Sequence, residues 1–353
     1  MISNERSWME NSSFFIEFNC IAFSPQSDII GGRVLMKGNR IMETIDIAEQ
    51  TIVDMSYDLM KVLLKDKTTG KYILWATDNY SHLGDAYHLS QEITPELLIG
   101  KGYEIIQPRV LKSQSERIKR TRDKAEVFTP SWICNQQNNL VDDSWFGRSG
   151  VFNQMDGTTW IMNPEKIQFP NGKKWQDYVD ARRLEISCGE APYLVSRYDT
   201  VSGEQIPIER RIGLLDRKLR IVNENTDNKK DWLKWVSRAF QSIYGYEYQG
   251  DNVLLARENL LLTFMDYYEE RFKQKPTLKE TKKIATIISW NIWQMDGITM
   301  TAPFSEAPPL YQQMSFSDVL GDYKEPELIA VPCRIFDWRS KKSIEFKSMR
   351  NGG

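Results

Sequence analysis

Apolar positions set the first division of the chain. "TIVDMSYDLMKVLLKD" (51–66), "WLKWVSRAFQSI" (232–243) and "DNVLLARENLLLTFMDYYEERF" (251–272) carry them at helical spacing. The third opens on Asp251, a residue type that caps helix N-termini. Short β-prone runs alternate with these: "FFIEFNCIAF" (14–23), "GGRVLM" (31–36), "KYILWATD" (71–78), "DARRLEISC" (180–188), "IYGYEY" (243–248) and "IAVPCRIFDW" (329–338). "TKKIATIISWNIWQMDG" (281–297) runs from a helical pattern into another strand-like end. Strands alternating with helices predict an α/β protein with a mostly parallel sheet and helices on both faces. Residues 1–110, strand-rich with one helix, read as a smaller mixed α+β N-terminal module. A charged helical link (111–125) joins it to a second domain, within 111–353.

Composition narrows the chemistry. The 353 residues are 41% hydrophobic and 27% charged, with a net charge of −2, as expected of a globular chain with a sizeable core. Four cysteines (Cys20, Cys134, Cys188, Cys333) lie far apart with no C-x-x-C, which argues against a zinc site or a disulfide framework. The two histidines, His82 and His88, fit neither a helical face nor a metalloprotease motif. They read as a surface loop, and so little histidine disfavours a Ser-His-Asp hydrolase or a histidine-rich metal centre; no metal is expected. With no apolar run near the ~20 residues that span a bilayer, and no signal-peptide pattern at the N-terminus, the chain reads as a cytoplasmic protein with no membrane partner.

Two segments depart from the near-neutral balance. Residues 112–124 and 334–350 each hold six Lys or Arg against two acids. In the first, Lys119, Arg120 and Arg122 are candidate contacts to DNA phosphates. A solvated helix face would look the same.

The candidate chemistry centres on "RLEISCGEAPYLVSRYD" (183–199), in which an apolar run enters a small-residue turn at Gly189. In a doubly wound sheet this is where a ligand meets the carboxyl end of the first strand, and the glycine lets the backbone approach closely. Glu190 sits badly with a dinucleotide pyrophosphate at that point. S-adenosylmethionine carries a sulfonium and an ammonium instead, so carboxylates nearby help. An ordinary strand–turn–helix around a buried Cys188 fits this stretch equally well. Downstream, Glu247 ends the next strand and suits a ribose, and Asp296 ends the third and suits an adenine amine.

The ordered set resembles the adenine-N6 DNA methyltransferases of restriction–modification systems, in particular the restriction endonuclease subunit M type. "RDKAEVFTPSWICNQQNNLVD" is similar to their FTP segment, "LEISCGEAPYL" to their first motif, "YGYEYQGDNVLLARENLL" to the second and "IWQMDG" to the third. The resemblance covers roughly residues 120–300. It implies a Rossmann-like class I methyltransferase sheet, S-adenosylmethionine as cofactor, DNA as substrate and a possible second subunit. Phe128, Thr129 and Pro130 would then line the methionine side. Glu185, Cys188 and Gly189 would shape the loop, Glu247 would hold the ribose and Asp296 would meet the adenine. The chain departs from the pattern twice. Between Gly189 and Glu247 lie 57 residues, which implies an insertion near 200–235. The Asn/Asp-Pro-Pro-Tyr motif that accepts the target amine is missing: "MNPE" (162–165) is out of order, and "EAPPLY" (306–311) lacks the acceptor. Asp337, followed by Trp338, is the one catalytic candidate. The alternative is a non-catalytic subunit that binds cofactor or DNA and serves a structural or regulatory partner; a nuclease subunit ranks below both.

Overall fold

The computed structural model of the chain describes residues 49–99, 105–124, 126, 129–305 and 330–349. In chain order the helices are α1 (Glu49–Met55), α2 (Tyr57–Leu64), α3 (Pro95–Leu98), α4 (Gln114–Lys124), α5 (Ser131–Phe146), α6 (Trp175–Asp180), α7 (Leu214–Asn225), α8 (Lys229–Gln241), α9 (Gly250–Phe272) and α10 (Leu278–Asn291). The strands are β1 (Asn153–Asp156), β2 (Thr159–Met162), β3 (Arg183–Glu185), β4 (Ile243–Glu247), β5 (Ile292–Gln294), β6 (Arg334–Asp337) and β7 (Lys342–Glu345).

The architecture is mixed α/β. Its centre is a three-stranded parallel sheet in the order β3-β4-β5, with Glu185 opposite Gly245 and Glu247 opposite Gln294. Two antiparallel hairpins, β1-β2 and β6-β7, stand apart from it. Each parallel crossover uses two helices: α7 and α8 lead from β3 to β4, and α9 and α10 from β4 to β5. The 57-residue interval is therefore filled by a turn-rich segment and this helix pair.

Because strand side chains alternate, β4 and β5 feed two separate cores. Ile243 and Ile292 join the main core with Trp232, Phe240, Leu254, Leu261 and Ile288 of the crossover helices. Tyr244 and Trp293 face the other way, with Ile335, Cys333 and Phe346. Among the described residues, then, the second face of the sheet is covered by the β6-β7 hairpin rather than by helices. This corrects the expected arrangement of helices on both faces. Aromatic packing does the covering: Phe346 lies 5.1 Å from Trp293 and 6.0 Å from Tyr246, between ring centres.

The N-terminal residues share the main core. Leu59, Met60, Leu63, Ile73 and Trp75 are fully buried in it beside residues of α9 and α10. Arg257, buried in α9, donates to the carbonyls of Leu63 and Lys65 and to those of Ser289 and Ile292, tying the end of α2 to the end of α10. Of the expected first module, residues 1–48 lie outside the described set, including the runs at 14–23 and 31–36. "KYILWATD" forms isolated bridges, Lys65 to Tyr72 and Leu74 to Glu92, not a strand. The residue before α9 is Gln249, so Asp251 stands inside the first turn and is not the cap.

Candidate functional site at the carboxyl ends of the parallel strands

β3 hands over to a loop in which Ser187, Gly189 and Ala191 have φ of 47°, 51° and 62°. A left-handed conformation costs an L-residue roughly 1–2 kcal/mol, so two non-glycine positions here must be held by their surroundings. Cys188 N–H donates to Tyr246 O at 2.9 Å, extending the sheet by one bond, and Ala191 N–H donates to Cys188 O at 2.7 Å. Gly189 N–H donates to Glu247 Oε2 at 3.0 Å. The loop and the end of β4 are thereby joined directly. After the loop, in which Ala191 is left-handed, turns and a single 3-10 turn at Ile208–Arg210 lead on to α7 at Leu214.

Glu247 is buried. Besides Gly189 it accepts from Tyr248 N–H at 2.8 Å and Gln249 N–H at 3.2 Å. Burial raises its pKa, and these three donors hold the rise in check. A carboxylate offers about four acceptor positions, so about one is left for a ligand. Glu185, one strand over, is buried as well, and burial pushes its carboxyl well above the usual range. Its Oε1 accepts weakly from Tyr193 N–H at 3.4 Å, and its Oε2 has no hydrogen bond among the described residues. Cys188 packs behind both, beside Gly245, with its thiol pushed up by burial.

Thr129 and Pro130 reach the same region through one intermediary. Thr129 hydrogen-bonds the Tyr193 side chain, and the Tyr193 backbone meets Glu185. Pro130 precedes α5, whose first N–H, from Ser131, is accepted by Asp199 at 2.7 Å. Phe128 lies outside the described residues.

Glu190 turns inward. Its Oε1 accepts from Arg109 N–H and its Oε2 from Tyr198 O–H, both at 2.6 Å, while Asn259 donates to its carbonyl. Burial raises its pKa, with Lys112 opposing. Alongside it lies a buried charge cluster. Arg120 is ion-paired with Asp251 and with Glu126, at 3.0 Å from the latter, and Tyr80 O–H donates to Asp251 at 2.9 Å. Lys112 Nζ is 3.9 Å from Asp251 and makes no hydrogen bond among the described residues. Burial alone would raise the Asp251 pKa; the charges of Arg120 and Lys112 outweigh it and lower it.

Two expected roles are corrected, those of Arg120 and Asp337, and Asp296 has a structural task as well. Arg120 is fully buried and spent on carboxylates, so it cannot meet DNA; Lys119 and Arg122 on the same helix are exposed. Asp296 Oδ1 accepts from Ile298 N–H and Thr299 N–H at 2.8 and 3.1 Å, holding the turn after β5. The third strand end is instead Gln294, whose amide brackets the backbone N–H and C=O of Leu74 at 2.8 Å each. Asp337 lies at the opposite, amino end of the sheet. It accepts from Arg182, just before β3, at 3.2 Å, and from Arg339 N–H and Ser340 N–H in its own hairpin turn. Burial would raise its pKa; these donors and Arg182 outweigh that and lower it. Trp338 is held there too, donating to Asn291 at 2.8 Å.

The structure adds residues that the sequence reading passed over. Tyr248, half-buried, directly follows Glu247 and lies 6.4 Å from Phe304 between ring centres. Arg109 and Arg117 line an open cleft of about 470 Å³ with Gln114, Ile118, Thr121, Arg122, Thr200 and Val201. Their signal was Pro108-Arg109 and the i, i+3, i+4, i+7 spacing of 114, 117, 118 and 121. Among the described residues no helix is long and apolar enough to cross a membrane. No protein-family model matches the chain, and no curated protein or solved structure is similar to it.

Proposed function

We propose that the chain is a cytoplasmic S-adenosylmethionine-binding subunit of a DNA restriction–modification system, built on a Rossmann-like methyltransferase sheet of the adenine-N6 class. The observation that carries this reading is the bond from Gly189 N–H to Glu247, which brings the small-residue loop and the second strand's acid to one point. Strand order β3-β4-β5 supports it, because loop, ribose acid and third strand then follow in sequence across the sheet. The donor set suits this cofactor. Glu247 keeps an acceptor position for a ribose hydroxyl, and the Tyr248 ring offers a face to a base. When bound, the cofactor supplies an electrophilic methyl group; the chain's own residues orient it. Asp296 holds its turn and also stands near Tyr248, whose hydroxyl pKa is raised by burial and by the Asp296 charge.

The position of Asp337 favours a division of labour. An exocyclic amine needs an acceptor beside the methyl group, and Asp337 stands at the far end of the sheet. The acceptor comes from a second polypeptide, so the isolated chain transfers methyl groups poorly. A non-catalytic binding subunit is the second reading that this observation supports.

Titration calorimetry with S-adenosylmethionine tests the proposal. Glu247→Gln should weaken binding tenfold or more, since a charged hydrogen bond contributes about 1.5–3 kcal/mol. A wild type that binds no cofactor, or a folded variant that binds as tightly, would overturn it.

A further inference from the structure

The cofactor reading leaves the cleft beside α4 unused. Gln114, Arg117, Ile118 and Thr121 fall on one face of the helix, Arg122 follows, and Thr200 and Val201 form the opposite wall. Three guanidinium groups line it and no carboxylate does. The Arg117 guanidinium has no ion pair or hydrogen bond among the described residues, and it is close enough to repel the Arg109 guanidinium. Arg109 is fixed from behind: it donates to Thr121 at 2.8 Å and lies 4.0 Å from Glu126. The Arg122 side chain is 73% exposed and, among the described residues, paired with its neighbour Asp123, a surface pair that a stronger anion displaces. Ile118 and Val201, 58% and 44% exposed, give the cleft an apolar floor and lip.

We infer that this cleft binds the phosphodiester backbone of a nucleic-acid strand through Arg109, Arg117 and Arg122. Converging like charges are relieved by an anion, and planar guanidinium forks match phosphate oxygens. Arg122 stands five steps beyond Arg117, a rise of about 7.5 Å along the helix. A duplex strand advances about 3.4 Å per phosphate along its axis, so the two arginines are spaced for phosphates about two apart. Arg109 also joins the cleft to the cofactor loop, because its own N–H bonds Glu190 beside Gly189. A strand lying in the cleft is therefore led toward the carboxyl ends of β3 and β4. The inference rests on the DNA-modification reading for the choice of a nucleic acid over another polyanion.

The test is fluorescence anisotropy with a labelled mixed-sequence duplex between 50 and 200 mM salt, on the full chain. Each neutralised phosphate contributes about 0.9 to the slope of log affinity against log salt. Arg117→Gln with Arg122→Gln should reduce that slope by about 1.8 and weaken binding throughout. Lys230→Gln with Lys234→Gln removes as many charges from α8 and should change neither. An unchanged slope in the arginine variant, an equal loss in the lysine variant, or no duplex binding by the wild type would overturn the cleft. Cofactor calorimetry on the same proteins separates the two proposals. Duplex binding that depends on the arginines, in a chain that binds no cofactor, upholds the cleft and defeats only the methyltransferase reading.

Discussion

Asp216, in the first turn of α7, shows what a buried charge does when its surroundings only half accommodate it. Its Oδ2 accepts from Ser196 N–H and Oγ–H at 2.9 and 3.1 Å, while its Oδ1 has no hydrogen bond among the described residues. Burial raises its pKa from 3.8 to about 6, with Arg211 opposing. A raised carboxyl pKa means that the folded state holds the proton longer than the unfolded chain. Stability therefore falls as pH rises from about 4 to about 6, by up to about 3 kcal/mol. Asp216→Asn keeps an acceptor for Ser196 and removes the charge. It should raise the midpoint of thermal unfolding at pH 8 and leave it nearly unchanged at pH 4; an equal effect at both values would refute the assignment. The same residue type explains what was legible in the sequence. Glu185, Gly189 and Glu247 stood out because each ends or follows an apolar run, and the structure gathers all three. Asp296 and Asp337 carry the identical signal, yet each caps a turn. An acid after a strand satisfies nearby N–H groups as readily as a ligand does, and sequence alone does not separate the two uses.

At the scale of elements, one side chain ties α4 to the buried charge cluster. Arg120 → Ala would leave Asp251 and Glu126 buried without their cation, and breaking such a pair costs about 3–5 kcal/mol. Chemical denaturation should show a loss of that size, whereas Arg117→Gln and Lys119→Gln, on the exposed side, should leave the midpoint in place. Recovery of stability on replacing Arg120, Glu126 and Asp251 together by apolar residues would mark the cluster as mutual neutralisation. Helices α8, α9 and α10 were readable because their buried faces are apolar. α5 and α7 were not, for a physical reason. α5 turns Asn135, Asn138 and Asp142 inward, and α7 buries Asp216, Arg217 and Lys218. Arg217 donates to Asn135 and Asn139 at 2.7 Å each and pairs with Asp142. Polar groups on a buried face interrupt the hydrophobic period that a sequence reading looks for, even where, as in α7, Leu215, Leu219 and Val222 are buried beside them. The three-residue strands β3 and β5 were visible only through their position in the alternation.

For the molecule as a whole, the decisive contact joins its beginning to its middle. The segment around Leu74 and Trp75 lies across the ends of β4 and β5: Gln294 brackets Leu74, and Gly250 N–H donates to Trp75 O at 2.9 Å. A side chain at Gly250 would overlap the Leu74 carbonyl, which is backbone and cannot swing aside. Gly250→Ala should therefore cost more than about 3 kcal/mol, beyond the usual range for overpacking, and urea denaturation would measure it. Retained stability would mean that the segment can lift from the sheet. The same contact has a consequence in time. Leu74 and Gln294 are 220 residues apart in sequence, so on a ribosome adding roughly 5–20 residues per second the earlier segment waits on the order of 10–40 s for its partner. During that wait the apolar side chains of α2 and of Ile73 and Trp75 have no α9 or α10 to cover them. Pairing this distant in sequence is also slow to form once both halves exist. Newly made chains should pass through a stage in which the early segment is open to proteases and chaperones, and closing the sheet's carboxyl ends is among the last events of folding.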